Sequence, residues 1–150
     1  MAKPEDTTVL VVDDEEDVRE YFAMALEDAG FNVSRAENGN EALDRIKEKT
    51  PDFISLDLVM PEKSGIKLLY ELRQHKDWRR IPFVVVTAHA RDDAGRGDLE
   101  EILSSKTFSG PNMYLEKPVE ADQYVAFICD QLGVEYEGEP VADEADRLRG

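Results

Sequence analysis

Cysteine is almost missing from this sequence: Cys129 stands alone, so no internal disulfide can form and no cysteine cluster can hold a metal. Histidine is scarce too, with His75 and His89 the whole supply. Basic residues are outnumbered, 18 Lys and Arg against 34 Asp and Glu, and the formal charge of −16 repels nucleic acid and anionic membrane over most of the surface. No window approaches the roughly 20 apolar residues that a membrane-spanning helix needs. The first residues, Met1-Ala2-Lys3-Pro4-Glu5-Asp6, lack the apolar core of a signal peptide. These absences argue against direct nucleic-acid binding and membrane insertion, and they predict a soluble, cytoplasmic protein. A cationic partner or a bound cation fits the charge better.

What is present suffices for one folded unit, since 150 residues at 41% hydrophobic content can bury a single core. Thr8-Val9-Leu10-Val11-Val12 is apolar at consecutive positions, as suits a parallel strand covered on both faces. Val18, Tyr21, Phe22, Ala25, Leu26 and Ala29 then form a helical stripe that Gly30 stops. A second strand is predicted over 31–36, a turn or cap at Asn38-Gly39-Asn40, and a second helix carrying Ala42, Leu43 and Ile46. The third strand is predicted over 52–56 and ends at Asp57. A third helix opens at Ser64-Gly65 with Ile66, Leu69 and Leu72 facing inward, and a fourth strand covers 81–87. Leu99, Ile102 and Leu103 suggest a fourth helix over 98–105, followed by a fifth strand over 112–116. The last helix places Ala121, Tyr124, Val125, Ile128 and Leu132 on one face and stops at Gly133, with Cys129 on its apolar side as a core thiol. The expected division is an N-terminal extension over 1–6, a domain over 7–133 and a flexible acidic tail over 134–150.

Strands alternating with helices predict a doubly wound α/β fold: a five-stranded parallel sheet with five flanking helices. In such sheets the site lies beyond the carboxyl ends of the strands. That rule selects Asp13 and Asp14 after the first strand, Asp57 after the third, Thr87 after the fourth and Lys117 after the fifth. Three converging carboxylates repel one another unless one is protonated, a metal binds, or a cation sits beside them. With oxygen the only donor to hand, a metal would be a hard cation, and Mg²⁺ is the usual one. Asp14 and Asp57 holding it would leave positions for a phosphoryl oxygen, Lys117 could neutralise a second oxygen, and the Thr87 hydroxyl with the Ala88 N–H could donate to a third. Asp57 is then the candidate nucleophile, because a carboxylate can form an acyl phosphate.

Asp13-Asp14, Asp57 with Met60-Pro61 and Gly65, Thr87-Ala88, and Tyr114 with Lys117-Pro118 stand in one order on one strand pattern. Together they resemble the receiver domain of two-component response regulators, the CheY-like family, over about residues 7–133. The resemblance implies that Asp57 accepts a phosphoryl group from a sensor histidine kinase or a histidine phosphotransfer protein. It implies Mg²⁺ held directly by Asp14 and Asp57, through water by Asp13, and by the main-chain carbonyl of Val59. Lys117 would pair with the phosphoryl group. Thr87 and Tyr114 would be the switch pair that alters a face made by the fourth helix, fifth strand and fifth helix, where a downstream protein docks. A homodimer formed on phosphorylation is left open.

Two departures from the family pattern bear on function. Thr87 and Lys117 are separated by 29 residues, more than is usual, which puts the extra length beside the output face. Val59 and His89, two residues beyond Asp57 and Thr87, occupy positions that tune acyl-phosphate hydrolysis in such domains. Val59 neither orients a water nor welcomes one, so slow self-dephosphorylation is expected. The competing functions are a receiver-like adaptor that works without phosphorylation and a phosphohydrolase, flavin or nucleotide enzyme on the same fold. Against the enzyme stand five acids, Asp13 to Asp17, where a flavin or dinucleotide site needs a Gly, Ser or Thr rich loop. The basic residues Arg73, His75, Lys76, Arg79 and Arg80 surround Trp78. They read as a solvated helix end with Trp78 over the core, or else as a docking surface for an acidic partner.

Overall fold

The computed structural model describes residues 3–57, 65–87, 114–116 and 119–134. Five strands form one sheet in the order β2-β1-β3-β4-β5, all neighbours parallel. They are β1 (Thr8–Val12), β2 (Asn32–Ala36), β3 (Phe53–Leu56), β4 (Phe83–Thr87) and β5 (Tyr114–Glu116). The α-helices among the described residues are α1 (Glu16–Asp28), α2 (Gly39–Glu48), α3 (Gly65–Gln74) and α4 (Ala121–Leu132). The helix expected over 98–105 lies outside the described residues, as do 112–113 of the fifth predicted strand.

Both sheet faces are covered, which explains why β1 and β3 are apolar or small at every position and buried throughout. Alternate residues feed two separate cores. Leu10, Val12, Ile54, Leu56, Phe83 and Val85 pack on one side with Ala42 and Ile46 of α2 and Leu68, Leu69 and Leu72 of α3. Val9, Val11, Phe53, Val84 and Val86 pack on the other with Phe22 and Leu26 of α1 and Tyr124, Val125 and Ile128 of α4. The order β2-β1-β3 places the change of winding direction between β1 and β3, where a doubly wound sheet opens its crevice.

Local chemistry sets the element ends. Asn38 caps α2, its side chain accepting the Glu41 N–H at 2.8 Å. Gly30 takes φ 100°, and the Phe31 N–H reaches the Leu26 carbonyl at 3.0 Å, the bond pattern that closes a helix with a left-handed residue. A Cβ at Gly30 would also come within 3.2 Å of the Pro4 ring. Gly133 ends α4 in the same way, with the Val134 N–H bonded to the Cys129 carbonyl at 2.9 Å.

Several sequence expectations need correction. Val134, assigned to the tail, is buried in the core shared by α1 and α4, so the packed unit continues through it. Asp52 precedes β3 and is exposed; its carboxylate accepts the Thr8 N–H at 2.8 Å. Phe31 precedes β2, and Ile81 and Pro82 precede β4. Tyr21 is on the helical stripe yet 48% exposed, because its hydroxyl reaches the main chain of α4, accepting the Ala121 N–H at 2.9 Å. Trp78 is half-buried against the α2–α3 core, and His75 stacks on it at 3.8 Å. Arg73 lies over the Phe83 ring at 5.2 Å. This is the solvated helix end with an aromatic cover.

Candidate metal and phosphoacceptor site

The parallel ladders run one residue past β1 and β3. The Asp13 N–H donates to the Ala36 carbonyl at 3.1 Å, and the Asp57 N–H donates to the Val12 carbonyl at 3.0 Å. Both backbones are thereby fixed at the carboxyl edge of the sheet, beside the change in winding direction. Their side chains, with that of Asp14, bring three carboxylate oxygens within 4.8 Å of one another. Asp13 and Asp57 are 3% and 5% exposed, whereas Asp14 faces solvent.

Asp13 also serves α1. Its Oδ1 accepts the Glu15 N–H at 3.0 Å, which fixes the turn that leads into α1. Arg19, one turn into α1, donates through Nη1 to the Asp13 main-chain carbonyl at 3.0 Å. Asp13 therefore both shapes the turn into α1 and belongs to the acidic cluster. Arg19 escaped the sequence reading because its target is a backbone oxygen six residues upstream, for which no side-chain pattern exists.

Two acids taken from water and a third beside them form a strongly negative spot, which favours a multivalent cation. The donor set fits Mg²⁺: all ligand atoms are oxygens, and two oxygens on one octahedral Mg²⁺ stand about 3–4 Å apart. Carboxylate oxygens within 4.8 Å of one another are close enough to share one such ion. No histidine or cysteine joins the cluster among the described residues.

Of the remaining candidates, Thr87 closes β4 and is paired with Glu116 at the end of β5. Since Val85 pairs with Leu56, the Thr87 backbone stands at the same sheet edge as Asp57. Tyr114 opens β5 opposite Val85. Lys117, which follows Glu116 in sequence, lies outside the described residues together with Val59, Ala88 and His89. Ser55 of β3 and Tyr124 of α4 are both buried on the same side of the sheet as the α1–α4 core.

Comparison with known proteins agrees with this arrangement. Residues 9–128 match the profile of the response regulator receiver domain. The polar-differentiation response regulator DivK of Brucella anthropi is 33% identical over 126 residues, covering 84% of this chain and 96% of that relative. Among solved structures, a protein assigned as a response regulator from Chloroflexus aurantiacus aligns at 32% identity and a TM-score of 0.70, covering 85% of this chain and 98% of the other. The chemotaxis response regulator CheY4 of Vibrio cholerae, 23% identical with a TM-score of 0.68 over 84% of this chain and 98% of its own, shares the fold. Receiver domains hold Mg²⁺ in an acidic pocket, and the acidic edge formed by Asp13, Asp14 and Asp57 stands where the fold places one. The chain belongs to the response regulator receiver domain family, the phosphorylation-dependent signalling modules of two-component systems.

Proposed function

We propose that Asp57 is the phosphoacceptor and that its phosphorylation switches a protein-binding face. The observation that carries this reading is the convergence of Asp13, Asp14 and Asp57 at the carboxyl edge of the sheet. The phosphoryl group comes from a phosphohistidine of a sensor histidine kinase or a histidine phosphotransfer protein. An Asp57 carboxylate oxygen attacks phosphorus, the new O–P bond forms as the P–N bond breaks, and the imidazole leaves with a proton taken from water.

Asp14 and Asp57 would hold Mg²⁺ directly, Asp13 through a water, and the Val59 carbonyl would add a fourth protein oxygen. Bound there, the ion supplies charge neutralisation for the phosphoryl oxygens. Lys117 pairs with a phosphoryl oxygen, and the Thr87 hydroxyl and Ala88 N–H donate to another. Thr87 and Tyr114 act as the switch pair, and the altered face comprises the helix expected over 98–105, β5 and α4. Val59 and His89 govern how readily water reaches the acyl phosphate. The receiver unit covers 7–133 plus the buried Val134, with an N-terminal extension over 1–6 and an acidic tail after it. It works in the cytoplasm on a downstream protein rather than on DNA.

The phosphorylation-independent adaptor is disfavoured, because a chain released from phosphoryl chemistry has no use for three mutually repelling acids, two of them buried. Incubation with a small phosphodonor, with and without Mg²⁺, followed by intact mass tests the proposal. One added phosphoryl group that requires Mg²⁺ is the expected result; no gain in mass under either condition supports the adaptor.

A further inference from the structure

In a chain of formal charge −16, residues 73–80 carry Arg73, Lys76, Arg79 and Arg80, with His75, against the single acid Asp77. Elsewhere arginines are spent on glutamates: Arg35 pairs with Glu20 and Glu27, and Arg45 with Glu41 and Glu48. Lys76, Arg79 and Arg80 are exposed, and none of them forms an ion pair among the described residues. Beside them Trp78, the one tryptophan of the chain, is half-buried and stacked on His75 at 3.8 Å.

The place of this patch in the fold matters. Residues 75–82 join the end of α3 to the start of β4, so they lie at the amino edge of the sheet, opposite the acidic cluster. Arg73 over Phe83, the first residue of β4, marks that edge. α4 follows β5, and its 12 residues run about 18 Å back to the same edge. There Val134 is buried in the core and is the last residue described.

The chain continues from that point with six acids and no base over residues 135–146. Most of the surface is acidic and repels such a segment, whereas the patch attracts it. The patch is on the α3 side of the sheet and α4 on the other, a separation on the order of 20 Å, or two helix diameters. Twelve extended residues reach about 40 Å. A tethered segment also acts at an effective concentration near 1 mM, so weak exposed ion pairs suffice to hold it.

We infer that Lys76, Arg79 and Arg80 around Trp78 form a docking surface occupied by the chain's own acidic segment, residues 135–146. Any other acidic partner must displace that segment to bind there.

As the sole tryptophan, Trp78 reports on the patch directly. Its quenching by acrylamide, which is uncharged, is compared in the full-length wild type and in a full-length variant with a neutral segment. That variant carries Glu135→Gln, Glu137→Gln, Glu139→Gln, Asp143→Asn, Glu144→Gln and Asp146→Asn. At about 0.01 M salt, where charges act over about 30 Å, Trp78 of the wild type is expected to be the better protected. At about 1 M salt, where the range falls to about 3 Å, the difference is expected to vanish. Arg79→Ala with Arg80→Ala is expected to lose most of the low-salt salt-sensitivity while leaving the acids in place. Equal quenching of the wild type and the neutral variant at low salt would overturn the inference and leave the patch open to an acidic partner. Protection that fades on dilution of the protein would overturn it too, by assigning the acids to a second copy.

Discussion

The Asp57 N–H donates to the Val12 carbonyl at 3.0 Å, one rung past the last paired residues of β1 and β3. That rung holds Asp57 level with Asp13, whose own N–H extends the ladder to Ala36. The acidic cluster is therefore built on the continuation of two fully buried strands, β1 and β3, and its geometry inherits the rigidity of the core.

Metal should stabilise the folded chain. A ligand that binds only the native state adds about 1.4 kcal/mol at tenfold excess over its dissociation constant. The expected outcome is a melting temperature that rises with Mg²⁺ but not with a matched concentration of sodium salt. Asp14→Asn, at the exposed acid, should abolish most of the rise.

Tyr21 on α1 ties down the start of α4 through the Ala121 N–H at 2.9 Å. Glu120, the residue before α4, offers no side-chain cap, so the tie replaces one. Tyr21→Phe should cost about 1 kcal/mol in urea unfolding, the usual net value of such a bond. Tyr21→Ala should cost more, because the ring also meets Phe22 edge-on at 5.4 Å. Equal stability of wild type and Tyr21→Phe would show that the bond contributes nothing.

Burial pushes the Cys129 thiol from an ordinary 9.0 up to about 11. The thiol form is neutral, and the unfolded chain ionises first as pH rises. Its contribution to stability is complete below pH 9 and is lost between pH 9 and 11. At neutral pH the native protein should react with a thiol reagent only at the rate at which it opens, whereas denatured protein should react at once.

The acyl phosphate should decay slowly, since an apolar Val59 cannot align water for attack. Following labelled phosphoprotein checks this: loss within seconds contradicts it, and Val59→Asn should shorten the lifetime several-fold.

Much of this was legible in the chain. The four consecutive apolar residues of β1 and the stripes of α1 and α2, which pack on opposite sides of the sheet, announce two covered faces, and the strand-end rule picks out Asp13, Asp14 and Asp57. What escaped were interactions across sequence distance. Tyr21 reads as core by periodicity, but its partner is the main chain 100 residues away. Leu68 lies beside the predicted stripe and is fully buried, because α3 buries a wider face than a strict period implies. Val134 looked like tail because acids follow it, while the bond to Cys129 that folds it inward is a backbone one.

Whether Asp57 carries the phosphoryl group is tested most directly by phosphorylating the chain from a phosphohistidine donor with Mg²⁺, reducing the acyl phosphate chemically and sequencing the peptides. Homoserine at position 57 in the wild type and no modification in Asp57→Asn are the expected results. Modification at another residue, or equal labelling of Asp57→Asn, would contradict that assignment.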